Sequence, residues 1–237
     1  MCCAATPSEG KGLWPKNKTN GQSAGMVRTD ERMLMESPSE EQFRYVSLGV
    51  SLGPEVSERN KHHVCLVRLG RDFGELDLPD ARVWVAAARP VSRRVLRDEA
   101  EKAGVADPDS LIEELQTNGL LVRFRPGSKE WTDKLATLRL QVQARSAGLV
   151  DPTRETYGLI SPLGEPLANV DAVSWSIWAM SDGRTLGEVS EEYATRLLDR
   201  PVEEVLRHIA LNLDALLASG CAALDVAPAL SVTEGRP

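Results

Sequence analysis

The sequence predicts an α+β chain: tandem winged helix-turn-helix units, each with a small antiparallel sheet and three helices, joined by a connecting helix. Three observations predict it. Two stretches share one order of strand and helix patterns, their capping and stop signals fall at matching places, and an apolar spacing of helical period lies between them. The organisation that follows is a tail over 1–40, a first unit over 41–128, a connecting helix over 129–150, a second unit over 151–227 and a tail over 228–237.

Residues 1–40 are rich in Gly, Ser, Pro, Lys and Asn without sustained periodicity and read as disordered, as does the closing "PALSVTEGRP". Residues 43–58, "FRYVSLGVSLGPEVSE", add an N-terminal strand to the first unit. Each unit then opens with a strand, "HHVCLVRLG" or "TYGLISPL", and a second strand, "GELDL" or "EPLANV", that ends at an Asp. That Asp, Asp80 or Asp171, is the expected N-cap of a short helix carrying Trp84 in one unit and Trp175 with Trp178 in the other. Second helices begin at Ser92 and at a Thr185-x-x-Glu188 capping box, and Gly104 stops the first of them. Third helices open at "DPDSLIEEL" and "DRPVEEVL", with Asp107 or Asp199 as cap and Pro108 or Pro201 at the first positions. They close at Gly119 and Gly220, each before a strand, "LLVRF" or "CAALDV". Between the units, Leu135, Leu138 and Val142 recur at helical spacing.

On a helical wheel Val173, Ile177 and Met180 share the face that lies on the second unit's own core, with Trp175 and Trp178 projecting from the opposite side. A helix apolar on both sides is sandwiched, so the tryptophans are expected to bury against the connecting helix, the first unit or a second protomer, which would make the assembly a homodimer. They form the candidate partner interface.

Composition excludes several function classes. The chain carries a net charge of −7, and no apolar run approaches the roughly 20 residues of a membrane span, so a protein without membrane association is expected. The N-terminus lacks a basic start followed by an apolar stretch, which points to the cytoplasm. Cys2, Cys3, Cys65 and Cys221 have no CxxC spacing, and adjacent His62 and His63 at a strand start point to opposite faces; no metal site is expected. Phosphate-loop, dinucleotide, nucleophile-elbow and zinc-protease motifs are absent, so the expectation is a non-enzyme without cofactors.

Nucleic acid is disfavoured as a partner. A winged-helix third helix that reads the major groove needs Arg, Lys, Asn or Gln, yet "DPDSLIEELQTN" has four acids and no base. Residues 151–226 hold 5 Arg against 13 acids. Arg89, Arg93, Arg94 and Arg97 form the one basic cluster, read as a solvated face paired with Asp98, Glu99 and Glu101.

The run "NVDAVSWSIWAMSDGRTLGEVSEEYATRLLDRPVEEVLRHIALNLDALLASGCAAL" resembles the PqqD-like fold, the RiPP recognition element used in making ribosomally synthesised, modified peptides. The likeness is carried by the Asp before the first helix, Asp182-Gly183 closing it, the T-x-x-E-V start at Thr185, and a third helix ending Leu-Leu-x-x-Gly. The resemblance implies that the leader of a precursor peptide adds as a strand to the small sheet and lies against the third helix, delivering the peptide to separate modifying enzymes. By position, the peptide-binding groove would involve Pro166, Leu167, Asn169, Val205, His208 and Asn212, with Leu76, Leu78, Ile112, Leu115 and Gln116 as counterparts in the first unit. The residues alone leave two further classes open, a winged-helix transcription regulator and a structural accessory subunit of an enzyme complex.

Overall fold

The computed structural model describes residues 39–57, 61–198 and 200–227; the expected tails fall outside it except at Ser39 and Glu40, where a 3-10 turn over Glu40–Gln42 opens the described chain. The chain is α+β, with small antiparallel sheets and seven α-helices among the described residues. Its first half runs β1 (Arg44–Ser47), β2 (Val50–Val56), β3 (His63–Leu69), β4 (Asp72–Asp77), α1 (Leu78–Ala86), α2 (Arg93–Lys102), α3 (Pro108–Thr117) and β5 (Leu121–Phe124). After α4 (Lys129–Thr137), the second half runs β6 (Leu138–Val142), β7 (Arg145–Asp151), β8 (Thr156–Ile160), β9 (Pro166–Val170), α5 (Ala172–Met180), α6 (Leu186–Tyr193), α7 (Val202–Ala218) and β10 (Ala222–Val226). A π-helical turn over Ala194–Leu198 continues α6.

In each half three strands form an antiparallel meander, β2-β3-β4 or β7-β8-β9, and the outermost strands pair with each other, β1 with β5 and β6 with β10. One order of elements therefore occurs twice. The tryptophans mark it: Trp84 and Trp178 are each the seventh residue of their helix, both buried, with indole N–H groups donating to the carbonyls of Leu48 at 3.1 Å and Cys221 at 3.4 Å. The residues before them, Val83 and Ile177, are buried as well.

Several local expectations are corrected. The span 129–150 is not one helix: α4 ends at Thr137, Leu138 is extended, and β6 and β7 follow. The spacing misleads because Leu138 and Val142, one helical turn apart, also fall on the same parity of a strand, and Leu140 between them is buried in the ladder with β10. The stretch 43–58 holds two strands, broken at Gly49. Asp77, not Asp80, occupies the N-cap position of α1, because Pro79 can stand at the second helical position and so lets the helix start early. Pro201 is the N-cap of α7 rather than a residue of its first turn; the expected cap Asp199 lies outside the described residues. Asp107, Asp171 and the Thr185–Glu188 box do cap through their side chains, whereas Ser92 sits at its cap position without a side-chain bond.

Two apolar clusters form the core, and one ribbon faces both. Along β1, Tyr45 points into the first cluster with Val83, Trp84, Leu96 and Ile112, while Val46, and Leu48 just past the strand, point into the second with Leu140, Ile177, Leu213 and Leu224. On β5, Leu121 goes to the first and Phe124 to the second. The two-residue side-chain period of a strand thus turns β1–β5 into a common wall.

The halves are also tied by a buried carboxylate. Asp225 on β10, wholly buried, accepts from the Gly70 amide at 2.7 Å, from its neighbour Val226 at 2.9 Å and from the Arg139 guanidinium at 2.7 Å, with Arg68 3.9 Å away. Gly70, at φ 63, turns β3 into β4, and a Cβ there would meet the Val226 side chain at 2.9 Å. Replacing Asp225 by Ala leaves Arg139 buried without its anion, so a loss of about 3–5 kcal/mol is expected in urea unfolding at neutral pH. Because of the common wall, unfolding is expected as one transition reported together by all buried tryptophans; two separated transitions would contradict it.

Candidate functional site

The second half presents an open strand beside a helix. β9 pairs with β8 and with no other strand among the described residues, and α7 packs alongside it. Along β9, whose pairing with β8 slips between Ala168 and Pro166, Pro166 and Asn169 are exposed, Leu167 is half-buried against the core, and Val170 is buried. Asp171, the next residue, caps α5 by accepting from the Ser174 amide at 2.8 Å and hydroxyl at 3.1 Å. Across from it on α7, His208 places Nε2 3.4 Å from the Asp171 carboxylate, and the Asn212 amide donates to the His208 carbonyl at 2.8 Å. Residues four apart share one face of a helix, so His208 and Asn212 form a half-buried polar seam along the side of α7 that meets the end of β9.

Of the second-half candidates, Pro166, Leu167, Asn169, His208 and Asn212 are thus at the surface or half-buried, whereas Val205 is core. The first-half set separates differently. Leu76 of β4 is buried, and so are Ile112, completely, and Leu115, because the ten-residue α3 spends its apolar face on its own core. Gln116 is half-buried with its amide turned back to the Ile112 carbonyl at 3.3 Å, and Leu78 is exposed on α1. Around the β4–α1 junction, burial raises the Asp80 carboxyl, and the nearby charges of Asp77 and Glu114 push it the same way. β4 pairs with β3 alone and so leaves an open edge too, but its α3 counterparts Ile112 and Leu115 are buried; the edge with helix side chains still at the surface belongs to the second half.

The tryptophan pair divides: Trp178 is core and Trp175 is half-buried against its own sheet. Trp178 is 6 % exposed and lies in the second cluster beside Ile177 rather than opposite it, since adjacent helix positions are 100° apart and both fall within the wide buried arc. Trp175 stacks on Tyr157 of β8, ring centroids 4.5 Å apart, and its indole N–H donates to the Ser146 hydroxyl on β7 at 3.0 Å. It covers its own sheet. Tyr157 and Ser146 were not singled out in the sequence, although the alternation of Tyr157 with Leu159 marks the strand they flank.

Arg93 and Arg97 of the basic cluster both bind Asp109 of α3, and Arg93 also reaches Glu113; their partners are on the next helix rather than Asp98, Glu99 and Glu101. Glu99 instead holds Arg82 and Lys102. Among the described residues no group of three or more His, Cys, Asp or Glu could hold a metal ion, and no helix is long and apolar enough to cross a membrane. Cys65 and Cys221 are buried free thiols, that of Cys221 raised by burial. No family model, no curated protein and no solved structure matches the chain.

Asp171 links the site to stability. Burial pushes its carboxyl up, but His208 and the Ser174 amide outweigh this and hold it down to about 2. The stabilisation is therefore full above the ordinary Asp range near 4 and is lost as pH falls through about 2. Asp171→Ala is expected to cost about 1 kcal/mol at pH 7. In denaturant titrations from pH 7 to 2, the gap between the variant and the parent chain should close on the acid side; a constant gap would contradict the assignment.

Proposed function

We propose that the chain is a non-catalytic peptide-binding protein of tandem winged helix-turn-helix build, 41–128 and 151–227, resembling the PqqD-like RiPP recognition element. In this reading it captures the leader of a ribosomally made precursor peptide in the cytoplasm and presents it to a modifying enzyme. The observation that carries the reading is the unpaired edge of β9 lying beside α7. An unpaired edge offers backbone donors and acceptors to an incoming strand, while the helix beside it sorts side chains, which is the physics of strand addition.

The roles follow from exposure. Asn169 and Pro166 face outward on β9, Leu167 gives an apolar contact, and His208 and Asn212 supply polar groups from the helix. Val205 supports the seam from the core. The first half holds the second in shape through the common β1–β5 wall and contributes no equivalent groove. Catalysis would remain with the enzyme; the contribution of this chain is a raised effective concentration of substrate.

The test is a fluorescence-polarisation titration of the full chain with labelled peptides synthesised from short reading frames beside its coding sequence, with duplex DNA as a parallel probe at physiological salt. Saturable peptide binding is expected, weakened about tenfold by His208→Ala with Asn212→Ala and by N-methylating alternate peptide amides, which removes strand hydrogen bonds. Tight, salt-sensitive DNA binding without a peptide signal would overturn the reading in favour of a transcription regulator.

A further inference from the structure

A second surface, built mostly by the first half and bordered by Leu217 and Ala218 at the end of α7, does not include the β9 edge. Leu78, Val85 and Val95, large aliphatic residues on α1 and α2, are 52 %, 53 % and 40 % exposed, and all three border one groove of about 680 Å³ between these helices and β2. Ala81, Ala88 and Leu217 extend its apolar floor. Single exposed aliphatics are ordinary on a protein surface, but several lining one concavity mark a place where something docks.

The walls restrict what can occupy it. Two of the walls are helices, and on α1 the small Ala81 and Ala86 sit between and beside the large Leu78 and Val85, the form that accepts a third helix through anchors at i, i+3, i+4 and i+7. The rim adds a sign. Arg82 and Arg89 border the groove seven residues apart, and Arg89 has no ion-pair partner among the described residues. Glu99, the acid on the rim, is already held by Lys102 and Arg82, which keep its carboxyl below the ordinary range.

We propose that the groove between α1, α2 and β2 docks an amphipathic α-helix of a partner protein, with aliphatic residues seated over Val85 and Leu78 and acidic residues set against Arg82 and Arg89. The inference does not rest on the leader-binding reading. If both hold, the chain is two-sided, gripping a peptide through its second half and a protein through its first.

The test uses the full chain and two labelled synthetic helical peptides of about 14 residues with identical leucines, one flanked by Glu and one by Lys. Saturable binding of the Glu peptide is expected, about tenfold tighter than the Lys peptide at low salt, with the difference shrinking at high salt. Val85→Asp should weaken the Glu peptide about tenfold, and Arg89→Glu should reverse the order of the two. Both positions are exposed, and matching thermal melts would show that the variants fold. Equal binding of the two peptides, absence of saturable Glu-peptide binding, or indifference to Val85→Asp would overturn the proposal. So would a dimer in sedimentation velocity that Val85→Asp dissolves, since the occupant would then be a second copy.

Discussion

Burying a carboxylate is tolerable when donors surround it, and Asp225 is surrounded from both halves of the molecule. Its own strand supplies one amide, the opposite strand β6 supplies Arg139, and the β3–β4 turn of the first half supplies the Gly70 amide. The geometry works because Gly70 carries no side chain and takes up a left-handed backbone that brings its N–H to the carboxylate. Everything that positions β10 against the first meander, including the Gly49 amide donating to Leu224 at 2.8 Å, is arranged around this point. A buried ion pair contributes little net stability over an apolar replacement, but it is demanding about geometry, and here the demand falls on how two similar halves meet.

The same meeting explains why the second half can keep an open groove. α7 has 17 residues against ten in α3. The longer helix buries Val205, Ile209, Leu213 and Leu216 on one side, and His208 and Asn212 fall in the same turns on its flank beside β9. In α3, Leu111, Ile112 and Leu115 use up the available length.

Much of the architecture was legible in the sequence, because capping is local chemistry. Asp171, Asp107 and the Thr185–Glu188 box need only their own turn to declare themselves, and each caps as its spacing implies. Spacing failed where two periods coincide: Leu135, Leu138 and Val142 satisfy a helix, and only the long-range pairing of β6 with β10 decides for a strand. The groove was half legible for a related reason. The PqqD-like resemblance placed Leu167, His208 and Asn212 in one groove, but whether Ile112, Leu115 or Val205 faces a peptide or a core depends on neighbours distant in the chain. The Asp225 junction was invisible, since nothing local to a buried Asp at a strand end announces its partners 86 and 155 residues away.

The shared β1–β5 wall has a consequence for how this chain can change over time. In a pair of repeats that merely touch, either copy can accumulate substitutions so long as its own interior compensates. Here Tyr45 answers to one interior and its neighbour Val46 to the other, so a backbone shift that relieves crowding on one side creates a gap on the other. The two halves are mortgaged to each other's sequence history, and divergence is channelled outward, into the loops, the strand edges and the exposed flank of α1, where the chain is free to acquire new partners.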